Sequence, residues 1–247
     1  MDGRGNPPHE VLVRYLRTDR LEDQGLASFG LEMLSDEESA HLARLRPGSA
    51  RRDYLAAHVL TRSTIGELAG ENPASLRFAG SAGERPWITA PDRAVRFRFS
   101  SSRADGIALC AVARTASVGA DVASLRAIGR DPLRLAEIAC SELEKRRLRE
   151  LPSEARAERL LEIWAVKEAL AKAVGLGLRF PLTEATVNAA GSGRPEVEMP
   201  GETGWTFATV RIAPCHLAAV AVGAGPRGIV RIRFEEETLE GVLRRAT

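Results

Sequence analysis

Apolar positions recur along this chain with two periods. Val11, Val13 and Tyr15 alternate with polar neighbours, which predicts a strand over 10–17. Ser35-Asp-Glu-Glu38 has the spacing of a capping box and opens a helix. A second helix is predicted from Arg51 to Leu68, with Leu55, Val59 and Leu68 inward and Gly70 as its stop. Residues 74–113 read as strands, with turns at 80–83 and at Pro91-Asp92. Ser141-Glu-Leu-Glu144 is another capping box and starts a charged helix. The longest helix is predicted from Ala155 to Val174. On a period of 3.6, Ile163, Val166, Leu170 and Ala173 fall on its apolar face, and Gly175 and Gly177 end it. Strand-like pieces follow near 184–188, 195–199, 205–212 and 216–223, and the tail 229–234 alternates less cleanly.

The order of elements repeats. Leu109-Cys-Ala-Val-Ala113 echoes Leu217-Ala-Ala-Val-Ala221 at a shift of 108 residues. Leu68-Ala69-Gly70 echoes Ala173-Val174-Gly175 at a shift of 105. Each part runs through helices, a long helix with a glycine stop, and then strands. This points to internal duplication.

Composition narrows the classes. The chain has 247 residues, enough for one large or two small domains, and its net charge of +2 points to no nucleic acid. No apolar run approaches the ~20 residues of a spanning helix, so no membrane partner is expected. Met1 to His9 is polar and has no signal-peptide core, so a cytoplasmic location is expected. Cys110, Cys140 and Cys215 are an odd number without metal spacing, as expected of reduced thiols. His9, His41, His58 and His216 lack zinc-like spacing.

The chemistry concentrates in Trp164-Ala-Val-Lys167-Glu168-Ala-Leu-Ala-Lys172. Trp164, Glu168 and Lys172 are spaced one turn apart on a face other than the apolar one. A Glu and a Lys one turn apart can hold a cation and an anionic oxygen together, although an isolated pair of this kind is ordinarily a surface ion pair. A second polar cluster changes the picture. It comprises Phe99-Ser-Ser-Ser102-Arg103-Ala-Asp105-Gly106, then Val118-Gly119-Ala-Asp121-Val122-Ala123.

With Arg51-Arg52, Arg62 and Arg85-Pro86 before them, these segments resemble, in order and spacing, the 4′-phosphopantetheinyl transferases of the surfactin type. The resemblance covers roughly residues 35 to 222, and the Trp-to-Gly block is its specific part. It implies an α+β fold built as a pseudo-twofold pair of similar halves, here 1–115 and 116–247, with the active site in the cleft between them. It implies transfer of the phosphopantetheine arm of coenzyme A to a serine of an acyl or peptidyl carrier protein in bacterial biosynthesis, by a monomer. Asp121 and Glu168 match the carboxylates that hold Mg2+. Glu168 is also the base candidate, and Lys172 matches the lysine on the phosphates. Arg62, Arg85, Ser102 and Arg103 match positions that hold coenzyme A.

Four positions depart from the family pattern. Arg103 replaces a histidine, Ala123 a carboxylate, Ser101 an apolar residue, and Glu84 a glycine. Arg103 and Ala123 both make the site more positive, which favours an anion over a divalent cation. The alternatives are therefore a scaffold repurposed for another ligand or reaction, and a non-catalytic coenzyme A or carrier-binding module.

Overall fold

The fold is a computed structural model that describes residues 8–21, 26, 30–80, 85–129, 131–188, 193–201, 203–225 and 228–245. The first half contains β1 (His9–Arg17), α1 (Asp36–Arg44), α2 (Ser49–Ala69), β2 (Arg77–Ala79), β3 (Trp87–Ala90), α3 (Asp92–Val95), β4 (Arg98–Ala104) and β5 (Ile107–Ala113). The second begins with β6 (Ser117–Ser124), α4 (Leu125–Ile128), α5 (Pro132–Ala139), α6 (Glu142–Glu150) and α7 (Ser153–Val174). It continues through β7 (Thr186–Asn188), β8 (Glu196–Glu198), β9 (Trp205–Ala213) and β10 (His216–Gly223), and the chain closes with β11 (Val230–Glu237) and α8 (Leu239–Arg244).

Both expected capping boxes form. The Ser35 and Ser141 hydroxyls accept from the N–H groups of Glu38 and Glu144, whose carboxylates accept from the serine N–H groups in return. Gly70 and Gly175 adopt the left-handed conformation that stops α2 and α7.

Among the described residues the two larger sheets have the order β11-β1-β5-β4 and β6-β10-β9, and β2-β3 and β7-β8 form two-stranded pairs. β5, and β10 from Leu217 to Val222, are apolar throughout because both of their faces are buried. In β5, Ala108, Cys110 and Val112 face α2, while Ile107, Leu109 and Ala111 face the other sheet. In β10, Leu217, Ala219 and Ala221 face α7, while Ala218, Val220 and Val222 face the first sheet. The layers are helix, sheet, sheet, helix. Where the sheets meet at β4 and β6, the Ser100 hydroxyl accepts from Ala120 N at 3.0 Å.

The expected α+β pair of similar halves is thus present, with β1, β5 and β4 corresponding to β6, β10 and β9. The sequence echo was one residue out of register. Leu109 points between the sheets and Leu217 points to α7, so it is Ala108 that corresponds to Leu217. Matched by ladder and buried face, Leu12 corresponds to Gly119 and Arg14 to Asp121.

The tail departs from the expected division at 115/116. β11 pairs parallel with β1, and Val242 of α8 joins the core around α2. Arg14 holds this tail by ion pairs to Glu235 at 3.1 Å and Glu237 at 3.0 Å, so residues 230–244 pack with the first half.

Candidate active site

The site begins with a missing side chain. A Cβ added to Gly119 would lie 2.0 Å from Ala169 O and 2.4 Å from Ala173 N, so only glycine lets α7 lie this close to β6. Asp121 stands two residues along the same face of the strand. Its Oδ1 accepts from Lys172 Nζ at 2.7 Å and from Ser102 Oγ at 2.8 Å. Glu168, one turn before Lys172, is half-buried. Burial pushes its carboxyl above the usual carboxylate range and the Asp121 charge adds to this, while Lys172 opposes both.

A cavity of about 220 Å³ opens beside Lys172, lined also by Arg85, Phe99, Ser101, Gly175 and Gly177. Arg85 Nη1 donates to Ala173 O at 3.1 Å. Arg85 Nη2 is buried and has no hydrogen-bond partner among the described residues. Burial, then the nearby Arg98 charge, lowers the Arg85 pKa. A buried unsatisfied donor is costly, and an anion in the cavity would satisfy it.

The structure thus brings together Asp121, Glu168, Lys172 and Ser102, with Arg85 at the neighbouring cavity. Arg62 is elsewhere, which corrects its expected place at the coenzyme A phosphates. Its side chain is 1% exposed and donates to Glu38 at 2.7 Å and to the carbonyls of Pro73 and Leu76 at 3.1 and 3.0 Å. A guanidinium bound this way is a structural clamp. Lys167 is its counterpart in the second half, fully buried and donating to Glu144 at 2.6 Å and to Ala139 O and Leu182 O. Arg103 points away from Ser102, as neighbours in a strand do, and its guanidinium lies 5.2 Å from the Tyr54 ring centre. Ala123 is buried in the apolar cluster around α7. Glu84 lies outside the described residues.

Among the described residues, no group of three or more His, Cys, Asp or Glu is placed to hold a metal ion. Asp121 and Glu168 are close enough for one charge to raise the pKa of the other. Two such carboxylates suit a cation that takes its remaining oxygens from substrate phosphates and water.

Sequence reasoning assigned no role to Phe99 and none to Gly119 beyond its place in the motif. Gly119 had a readable signal, a glycine inside an apolar strand two positions before an aspartate, which marks close backbone approach. Phe99 had none, since an aromatic residue in a strand is ordinarily core.

Residues 117–221 match the family model described as the 4′-phosphopantetheinyl transferase superfamily. The chain is 30% identical over 145 residues to the 4′-phosphopantetheinyl transferase HetI of Nostoc sp., covering 59% of this chain and 61% of that protein. It is 32% identical over 162 residues to the L-aminoadipate-semialdehyde dehydrogenase-phosphopantetheinyl transferase of Eremothecium gossypii, covering 64% and 57%. The chain therefore spans about three fifths of the length of these curated relatives. Among solved structures, it is similar to a holo-(acyl-carrier-protein) synthase from Bacillus anthracis in complex with CoA (3′,5′-ADP). That match has a TM-score of 0.38 and 22% identity, over 43% of this chain and 93% of that one. The holo-[acyl-carrier-protein] synthase of Thermotoga maritima gives 0.35 and 26%, over 43% and 61%.

Proposed function

We propose, from the premise that residues 117–221 belong to the 4′-phosphopantetheinyl transferase superfamily, that this protein moves the 4′-phosphopantetheine arm of coenzyme A onto a serine of an acyl or peptidyl carrier protein in bacterial biosynthesis. The observation that carries the reading is the pairing of two unlike surroundings. Arg85 and Lys172 line one cavity, and the Asp121 and Glu168 carboxylates sit beside it. Cations at the cavity suit a pyrophosphate, and carboxylates suit a proton acceptor and a metal ligand.

In this mechanism the carrier serine oxygen attacks the β-phosphorus of coenzyme A. The bond from that phosphorus to the bridging oxygen breaks, and 3′,5′-ADP leaves. Glu168 takes the serine proton, directly or through water. Its raised pKa makes it a stronger base than an exposed carboxylate. Lys172 turns from Asp121 toward the phosphate charge, and Arg85 holds a phosphate oxygen with its unsatisfied Nη2. Ser102 keeps Asp121 oriented. Asp121 and Glu168 would hold Mg2+, which when bound neutralises phosphate charge.

Arg85 and Ser102 come from the first half and Asp121, Glu168 and Lys172 from the second, so one chain supplies the whole site. This supports a monomer as the working unit. No helix among the described residues is long and apolar enough to cross a membrane. We place the protein in the cytoplasm, where carrier proteins are made.

Ala123 favours a second reading, a related scaffold that binds coenzyme A without standard transfer. It is packed among apolar residues and offers no third carboxylate. The test is intact-mass analysis of a panel of apo-carriers incubated with the protein, coenzyme A and Mg2+. Arm transfer adds one phosphopantetheine to a carrier. Coenzyme A binding without any mass gain would favour the second reading.

A further inference from the structure

The first half has a hollow where the second half is closed. Leu12 stands at the ladder position that corresponds to Gly119, so α2 does not lie on β1 as α7 lies on β6. Past the end of α2 a cavity of about 290 Å³ remains. Its apolar floor includes Leu12, Phe97 and Val112, which are 7, 4 and 1% exposed. Its rim carries Arg114, which follows β5, and Arg231 and Arg233 from β11, against one carboxylate, Glu10. No lining residue is shared with the cavity beside Lys172.

The rim arginines have little else to do. Arg231 has no hydrogen bond or ion pair with a described residue, and Arg114 has only the Phe97 ring, 5.4 Å away. Arg233 pairs with Glu235 at 2.9 Å but is 70% exposed. Solvated arginines need no cavity, yet here three from the two segments that flank β1 surround an apolar hollow. Guanidinium groups fit the planar fork of a carboxylate, and the floor fits a hydrocarbon body. The volume of about 290 Å³ lies just below the ~300–1,000 Å³ of small-molecule sites, too small for a nucleotide with its arm.

We propose that this hollow is a second binding site, distinct from the transfer cleft, for a small amphipathic carboxylate with its acid group on Arg114 and Arg231 and its apolar body on Leu12, Phe97 and Val112. The inference does not depend on the transfer reading.

The test uses the full chain and octanoate as probe, with octanol and sulfate as controls, followed by calorimetry and protein NMR. Octanoate should bind one-to-one in the millimolar range or tighter. The double variant Arg114→Gln/Arg231→Gln changes two exposed side chains and should keep the native circular dichroism, while octanoate binding weakens at least tenfold. Octanol and sulfate should each bind less well than octanoate, and coenzyme A should not displace octanoate. Four results would overturn the proposal: no saturable octanoate binding, equal binding of either control, undiminished binding to the double variant, or displacement by coenzyme A.

Discussion

Asp121 and Lys172 lie 51 positions apart and meet at 2.7 Å across the seam between β6 and α7. The corresponding place in the first half carries the same pair with its charges exchanged, Arg14 on β1 and Glu67 on α2. There β11 and its carboxylates Glu235 and Glu237 cover the pair, and Arg14 is 4% exposed. In the second half the Lys172 side chain is 30% exposed, and a cavity opens beside it. The two halves thus carry two polar seams, one closed by the tail and one with a cavity beside it.

Gly119 should tolerate no side chain. In Gly119→Ala the new Cβ meets backbone atoms of α7, which cannot rotate away as a side chain would. We expect a loss of about 3 kcal/mol or more in urea unfolding, at the upper end of overpacking costs. A loss below about 1 kcal/mol would show that the helix can lift from β6 cheaply.

The two lysines of the motif should fail in different ways. Lys167→Ala leaves the Glu144 carboxylate buried and uncompensated, at a cost of about 3–5 kcal/mol. Lys172→Ala breaks a partly exposed pair and should cost about 1 kcal/mol of stability. Coenzyme A affinity measured on the folded Lys172→Ala protein should fall by about 1–3 kcal/mol, the loss of a charge-assisted contact. Equal thermal stability of the two variants would contradict this division.

Glu38 should make part of the stability acid-labile. Burial alone would raise its pKa, but the His58 hydrogen bond, the Arg62 charge and the Ser35 N–H together hold it at about 2, from 4.5. A carboxylate lowered in this way stabilises the fold fully above pH 4.5, and the contribution is lost as pH falls toward 2. It amounts to about 3 kcal/mol. Glu38→Gln should therefore be less stable at neutral pH and show a flatter decline below pH 4.5, as read from urea midpoints across that range. Parallel curves for the two proteins would refute the assignment.

Thiol reactivity should report the two cores. Burial pushes the Cys110 and Cys140 thiols up to about 12, whereas Cys215 is exposed. A maleimide should label one thiol in the native protein, at Cys215, and all three in urea. Fast native labelling of Cys110 would mean that the packing of β5 against α2 is wrong.

Much of this arrangement was legible before the structure. The capping serines, the glycine stops and the apolar face of α7 are local signals, and the elements they predict form. What stayed hidden depends on distant partners. A capping box marks Glu38 and Glu144, but nothing nearby shows that they also bind Arg62 and Lys167 on the long helices. For that reason the sequence alone groups Arg62 with the ligand-binding arginines. The echo between β5 and β10 misled by one residue because an Ala/Val run buried on both faces carries no period-2 mark to set its register. The parallel pairing of β11 with β1 joins segments more than two hundred positions apart, and the mixed Arg, Ile and Glu tail gives no sign of its partner. Arg103 and Ser102 looked like one cluster, and strand alternation places them on opposite faces.

Arm transfer at the seam between β6 and α7 is the reaction proposed for this protein. It is tested most directly by the rate at which an apo-carrier gains mass in the presence of coenzyme A and Mg2+, compared between the wild type and Glu168→Gln. The variant keeps the size of the side chain and removes its charge and basicity. The wild type should modify a carrier, and the variant should do so at a rate at least a hundredfold lower, at the modest end of what a positioned general base supplies. A wild type that modifies no carrier in the panel, or a Glu168→Gln protein that transfers at the wild-type rate, would contradict it.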